Sequence, residues 1–553
     1  MSPGLAGYIA TATDEQTWDE VLAAALETLA ADFTVLAEHH HAAQRRTWLD
    51  TFDWRLHRAE LLLEYVTAAR TAELQLTDRD GEQAEQPVTG WQASRPRLFS
   101  ELPDGPVAGR VISLLTPRAL LPVITLTYAT ASYRLLNADT KTVARLLVEY
   151  PALAVAPHTK LAPRLFIAEV RGYLAQARRA ARILATTPGI TPAFEPAGTE
   201  ALRAQGRRPG DYSNKVDAKL TAAMPAPQAA AAILLRLLDT LDANIAGVLH
   251  DTDSEFLHDL RVSTRRTRSA IKLFGDVLAS PQAGKGRLTA DDIARFAAEF
   301  KWVGDVTTPT RDLDVHLLDF EDTKSQLHAA KPDDLEPFRG YLEQRRRKEF
   351  RALTRALKSA RFTGLVQEWR DRLTAIRDQE QSRSRGSRAR SDASKNAAAE
   401  TAATLSAERT RRAFTKVAKR GAAITPNSPH ESLHDLRKRC KELRYALEFF
   451  APLHDPAAYG KVIGDLKRLQ DCLGEFQDTE VQIAEIQALA TAMLAAREAP
   501  AVTLLAMGEL TAGLATRQRA AREDFERRFA AFADAEGQRR MSVLLRGGRG
   551  GAG

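Results

Sequence analysis

Two stretches of this chain place a histidine and a ladder of cations at helical spacing. His258, Arg261, Arg265, Arg268 and Lys272 follow one another at steps of three or four residues, as do His434, Arg437, Lys441 and Arg444. At such steps successive side chains stand about 5–6 Å apart on one helix face, and like charges there destabilise the helix. A ladder of this kind needs compensation, from acids on neighbouring turns or from a bound polyanion. Arginine offers planar multi-donor contacts to phosphate oxygens, while lysine acts as a point charge. The chemistry these residues suit is the holding of a polyanion, with no catalytic residue required.

Each histidine precedes an aspartate, Asp259 or Asp435. A metal site needs several converging ligands, and neither copy has a second histidine at helical spacing, so no metal or cofactor is expected. The two cysteines, Cys440 and Cys472, are too few for a disulfide scaffold or a cysteine-based zinc site. Residues 345–361 carry eight basic residues and one acid. Their apolar positions fit an amphipathic surface helix, and Arg347, Arg351, Arg355 and Lys358 rank as secondary members of a basic surface.

The elements that must carry the ladders form an internal repeat. Leu257–Phe274 (LHDLRVSTRRTRSAIKLF) and Leu433–Phe450 (LHDLRKRCKELRYALEFF) share their first five residues. Leu257, Leu260, Thr264, Thr267, Ile271 and Phe274 make one buried helical stripe, and Leu433, Leu436, Cys440, Leu443, Leu447 and Phe450 repeat its register. Each ladder lies one residue, about 100°, from its apolar stripe. Further on, Lys301–Val315 aligns with Lys467–Val481, pairing Asp312 with Asp478. Glu442 takes the slot of Arg266 and Glu448 that of Lys272, which predicts a weaker second ladder at its C-terminal end. Ser428, Pro429 and Glu431 predict a capped helix start, with serine as N-cap and proline first in the helix. The repeat predicts two related helical bundles about a pseudo-twofold axis.

These residues resemble the CHAD family, the conserved-histidine α-helical domain, over about residues 222–540. The resemblance implies an all-α domain of two repeated four-helix bundles that binds inorganic polyphosphate. Carried over by position, it adds Arg266 and Lys438 to the ladders, and Lys301, Arg311 and Lys467 on accompanying helices. Nucleic acid is the alternative polyanion, but single-strand readers interleave aromatics with cations, and the ladders contain only Tyr445.

The 553-residue chain is long enough for several domains. Residues 1–220 hold 24 basic and 25 acidic residues, and the remainder 54 against 46, so the net charge of +7 arises in the C-terminal part. In the first part, short apolar runs bounded by turn residues predict strands, among them Phe33–Leu36, Leu61–Val66, Val111–Leu115 and Leu120–Tyr128. Helices are expected at Thr17–Leu29 and Tyr173–Leu184. Asp50–Val66 and Asn137–Glu149 resemble CYTH, or triphosphate tunnel, domains, which implies an N-terminal α+β antiparallel barrel or tunnel-like domain. The ExExK strand of that family is absent from Ala31–Glu38 and its paired arginines meet Glu64 and Val66, so metal-dependent triphosphatase activity is not expected. Arg55, Arg58, Arg134, Lys141, Arg145 and Glu149 are the candidates for residual tunnel charge.

The expected organisation is an N-terminal segment (1–27), a CYTH-like domain (28–195) and a linker (196–221), followed by the helical domain (222–540). The last comprises repeats at 222–377 and 398–540 around a polar, disordered insert (378–397), and a disordered tail (541–553) closes the chain. No secretory signal or membrane-spanning run is visible, which predicts a cytoplasmic protein without a membrane partner, compatible with polyphosphate granules.

Overall fold

The computed structural model describes residues 7–11, 17–69, 71–79, 81–155, 159–193, 195–279, 288–386 and 400–547. They form two compact units that divide between Ser213 and Asn214. The first unit contains β1 (Gly7–Ala10), α1 (Trp18–Ala30), β2 (Thr34–Asp50), α2 (Arg55–Arg58), β3 (Leu61–Ala68), β4 (Thr71–Asp78) and β5 (Gln83–Pro87). It continues with α3 (Pro106–Leu115), β6 (Leu121–Leu136), β7 (Thr142–Leu153), β8 (Arg164–Glu169), α4 (Leu174–Thr186), β9 (Ile190–Ala193) and α5 (Ala197–Ala204). All nine strands join one sheet in the order β5-β4-β3-β2-β6-β7-β8-β1-β9, with antiparallel pairing throughout.

Alternation along the strands gives the sheet two unlike faces. Arg46 and Trp48 of β2, Leu62 and Glu64 of β3, Ile124, Leu126 and Tyr128 of β6, and Arg164 and Phe166 of β8 line one tunnel-like cavity. The opposite face packs on helices: Leu49, Leu63, Leu74 and Leu76 meet α3, and Leu146, Val148, Leu165 and Ile167 meet α1 and α4.

Several expected boundaries shift. Of segment 1–27, residues 7–11 and 17–27 belong to the domain, because β1 pairs with both β8 and β9 and α1 is fixed by a Thr17–Glu20 capping box; 1–6 and 12–16 lie outside the described residues. Val111–Leu115 is the end of α3 and not a strand. Pro106 starts that helix, and Val107, Ala108, Val111 and Leu115 fall on one buried face. Between β2 and β3 the chain makes the short α2, held by the Asp50 carboxylate, which accepts from the backbone N–H groups of Thr51, Leu56 and His57. Part of the expected linker 196–221 is α5, whose Ala197, Ala201 and Leu202 are buried against Trp48 and Ile124.

The second unit is helical: α6 (Ala226–Leu249), α7 (Ser254–Leu278), α8 (Ala290–Leu318), α9 (Phe320–Ser325), α10 (Glu336–Leu357) and α11 (Ala360–Gly386) belong to the first repeat. The second has α12 (Ala402–Ala422), α13 (His430–Phe449), α14 (Pro456–Ala495), α15 (Ala501–Ala533) and α16 (Ala535–Gly547). The repeated motifs fall on α7 and α13, and the stripes from Leu257 to Phe274 and from Leu433 to Phe450 are buried. The carboxylate of Asp253 caps α7 by accepting from the N–H groups of Glu255 and Phe256. Where α6 meets α7 only glycine fits, since a Cβ on Gly247 would stand 2.2 Å from the Phe256 ring. A further core joins the repeats: Leu313, Phe320, Phe338 and Leu342 pack with Ile486, Leu489, Met507 and Leu510.

Three expectations are corrected here. The polar insert is helical in its first part, because α11 runs to Gly386 with no proline or glycine between Gly364 and that last residue; the rest, 387–397, lies outside the described residues. The tail is helical through Gly547, anchored by buried Met541 and Leu544 in the core of the second repeat, and 548–553 lie outside the described residues. Ser428 does not cap α13. Its hydroxyl accepts from the Thr425 N–H at 2.9 Å, Pro429 occupies the N-cap position, and the helix starts at His430.

Candidate functional site: a cation-lined groove between the repeats

Helices α7, α8, α12 and α13 enclose a groove of about 930 Å³. Its floor is apolar and small, from Ile271, Leu273, Ala290, Ile293, Ala294, Ala297 and Ala298. Around it stand Arg265, Arg268 and Lys272 of α7, Lys301 of α8, Arg409, Arg412 and Lys416 of α12, and Lys438 and Lys441 of α13. Against these nine cations the described lining has one carboxylate, Glu442. Arg265, Arg268, Lys416 and Lys441 form no ion pair among the described residues. The others lean on acids outside the lining or on Glu442: Lys301 on Asp305 (2.6 Å), Arg409 on Asp276 (2.5 Å), Arg412 on Glu408 (2.6 Å), Lys438 on Asp435 (3.6 Å) and Lys272 on Glu442 (2.5 Å).

Crowding of positive charge shows in Lys441. Burial, with Arg437 and Arg265 beside it, pushes its ammonium down to about 8. An anion arriving in the groove would restore the charged form.

The remaining expected site residues lie outside the groove lining. In each repeat the rung after the histidine clasps the next long helix of its own bundle. Arg261 donates to the Gly304 carbonyl (3.3 Å) and to the hydroxyls of Thr307 (3.1 Å) and Thr308 (2.7 Å) on α8. Arg437 pairs with Asp478 on α14 at 2.8 Å. Arg311 is held by the Ser254 carbonyl (3.2 Å) and Glu255 (3.5 Å), and Arg444 by Glu448 (2.6 Å). The His434 ring is bonded through Nδ1 to the Gln477 side chain, and burial lowers the His258 imidazole below its ordinary value. Neither histidine lines the groove. Lys467 is exposed outside it, as are Arg347, Arg351 and Arg355 on α10 and Lys358 at its C-terminal cap.

Arg266 has a different task. It donates to Glu448 at 3.0 Å and to the Asn214 carbonyl at 2.7 Å, with little of its side chain exposed. Glu442, the residue in the corresponding slot of α13, accepts from Lys272. Glu448 thus takes the cation whose repeat equivalent is Glu442, and Glu442 takes the cation whose equivalent is Glu448, the reciprocal pattern of a two-fold contact. Burial alone would raise the Glu442 carboxyl, but bonds from Lys272 and Arg439 hold it below its ordinary range. The rings of Phe274, Phe449 and Phe450 pack beside these pairs, with centroids 5.6–5.8 Å apart. The two glutamates are therefore interface acids, and the expected weakening of the second ladder is better described as a pairing of the two ladders.

Sequence reasoning missed Arg409, Arg412 and Lys416. They sit at the same three-then-four step on α12, a helix without the LHDLR motif, and that spacing was the available signal. Both cysteines are in the second core. Burial pushes the Cys440 thiol up to about 12 and the Cys472 thiol up to about 11, and the latter donates to the Ala521 carbonyl at 3.3 Å. Among the described residues no group of three or more His, Cys, Asp or Glu side chains is arranged to hold a metal ion, and no helix is long and apolar enough to cross a membrane.

The class this defines is a duplicated, all-helical domain whose histidine-headed helices pair across a cation-lined groove. Residues 232–487 match the family model of the CHAD domain. Among solved structures, the CHAD domain of the plant Ricinus communis is 25% identical, with a TM-score of 0.45, covering 58% of this chain and 96% of that one. PptA from Streptomyces chartreusis is 17% identical, with a TM-score of 0.39, covering 55% and 99%. HpAC1 from Hippeastrum, described as having a dominant triphosphatase activity, is 12% identical, with a TM-score of 0.24, covering 38% and 98%. The comparison with curated proteins gives no match.

Proposed function

We propose that the helical unit binds inorganic polyphosphate in the groove between its repeats, and that the chain is a binding protein without catalytic activity of its own. The observation that carries this reading is the composition of the groove wall, nine cations against one carboxylate over about 930 Å³. A flexible polyanion can pass from the arginines of α7 to the lysines of α13, releasing counterions at each contact, so binding weakens steeply with salt. Arg265, Arg268 and Lys441 are the principal contacts, because they have no acid to leave. Polymer binding of this kind would let the protein reside on polyphosphate granules in the cytoplasm.

Filter binding with long-chain polyphosphate over a salt series tests the reading. The triple variant Arg265→Glu, Arg268→Glu, Lys441→Glu is expected to lose binding by more than about 100-fold while keeping its melting temperature. Retained affinity in that variant rejects the groove as the site. RNA at equal phosphate concentration should compete poorly, since Tyr445 is the sole aromatic in the described lining and is buried.

A further inference from the structure

The interior of the N-terminal unit holds charges whose accounts do not close. Its cavity, about 450 Å³, is bordered by Arg46, Glu64, Tyr128, Glu149 and Arg164, from five different strands. Of the six residues expected to supply tunnel charge, only Glu149 is among them. Arg55 is spent on the carbonyls of Leu114, Leu115 and Thr116, Arg58 on that of Tyr212, and Arg134 and Arg145 approach Glu38. Lys141 is exposed in a turn.

Both interior arginines already have acids. Arg46 donates to Glu149 at 2.7 Å and to the Gln44 side chain at 3.1 Å, and its guanidinium lies 4.3 Å from the centre of the Tyr128 ring. Arg164 donates to Glu200 and to the Ala162 carbonyl, each at 2.7 Å. At the rim, Glu195 is taken by Arg203. Glu64 is left over. It is half-buried, it borders the cavity, and among the described residues it makes no hydrogen bond or ion pair. Burial, with Glu149 adding to it and Arg46 opposing it, raises its carboxyl. On the neighbouring strand the opposite residue is Gln75, whose amide is bonded to Glu73.

One surplus carboxylate in a partly apolar cavity favours a single positive charge. A triphosphate would bring several negative charges to a wall whose cations are already neutralised. The volume suits a small ligand, and Leu62, Leu126 and Phe166 supply an apolar wall beside the carboxylate. We propose that this cavity binds a small monocationic amine with an apolar body, its ammonium on Glu64 and its body against Leu62, Leu126 and Phe166.

Calorimetry on the full chain with phenethylamine as probe, and with magnesium tripolyphosphate as the contrasting ligand, tests this. Phenethylamine should bind one per chain. Glu64→Gln, which keeps the shape and removes the surplus charge, should weaken it at least tenfold without lowering the melting temperature. Leu62→Trp, which fills the apolar wall and leaves the ion pairs alone, should also abolish binding. Absence of phenethylamine binding, full affinity in Glu64→Gln, or tripolyphosphate binding that depends on Arg46 or Arg164 would each overturn the proposal. The groove triple variant of the helical unit should bind phenethylamine as the unaltered chain does.

Discussion

Helices α7 and α13 begin with the same five residues and bury the same stripe, yet they use their charges differently. Along α7 the cations continue to Lys272, whereas α13 replaces two of them with Glu442 and Glu448. Helices related by a pseudo-twofold axis meet their own repeat equivalents. With unchanged copies, Arg266 would face a lysine and Lys272 an arginine across the contact. Two acids in one copy turn both repulsions into bonds, at 3.0 and 2.5 Å. The rungs with no such conflict, Arg265, Arg268, Lys438 and Lys441, remain cationic and line the groove. The difference teaches that a duplicated helix must diverge where it touches its own copy and need not along the face it turns to the groove.

The sharpest way to break this comparison is Arg266→Glu, which sets like charges against Glu448. Because the pair is largely shielded from solvent, a loss of about 3 kcal/mol is expected in urea unfolding. Adding Glu448→Arg should recover roughly half, since Arg444 also leans on Glu448. A double variant no more stable than the sum of its parts would remove the reciprocal pairing from the account.

Next in size is the separation of structural from groove cations. Arg268→Ala should lower the slope of log affinity for polyphosphate against log salt by about one unit. Arg261→Ala should leave the slope alone and lower the melting temperature, because its three bonds hold α7 to α8. Equal slopes in the two variants would mean that this division of labour is wrong.

A smaller effect is expected from pH. Lys441 titrates at about 8, so its charge is complete well below that value and lost as pH rises through it. Polyphosphate affinity should therefore fall several-fold between about pH 7 and 9, and Lys441→Arg should flatten the fall because arginine stays charged. An unchanged pH profile in that variant would assign the titration to another group. Smallest of all is Lys272→Met. Lys272 is 68% exposed, and surface pairs contribute little, so under about 1 kcal/mol is expected despite the short distance to Glu442. A loss comparable to that of Arg266→Glu would make the two pairs energetic equals.

The fold of the helical unit was legible because its signals are local. The steps of three and four from Leu257 to Phe274 define a buried stripe wherever the helix is placed, and the structure buries it. Which cations remain available was not legible, because that depends on partners far along the chain: Arg261 finds Thr308, Arg266 finds Glu448, and Arg437 finds Asp478. Arg409, Arg412 and Lys416 enter the groove only because α12 packs on α13. In the N-terminal unit, short apolar runs bounded by turn residues marked several strands and misplaced one, since Val111–Leu115 lies in α3. The interior charge was not legible, because Arg46 and Arg164 lie in segments that resemble no tunnel motif and acquire meaning only when β2, β7 and β8 are brought together.

The interface acids also settle whom each half of the helical unit prefers. Two first repeats, brought together through α7, would set Arg266 against Lys272 twice, and two second repeats would set Glu442 against Glu448 twice. Only the unlike combination is attractive at both positions. Rejection of the wrong mate is as effective as attraction to the right one, so four side chains give the halves an address. In any encounter between copies of the chain, this charge pattern would favour the unlike pairing over the like ones.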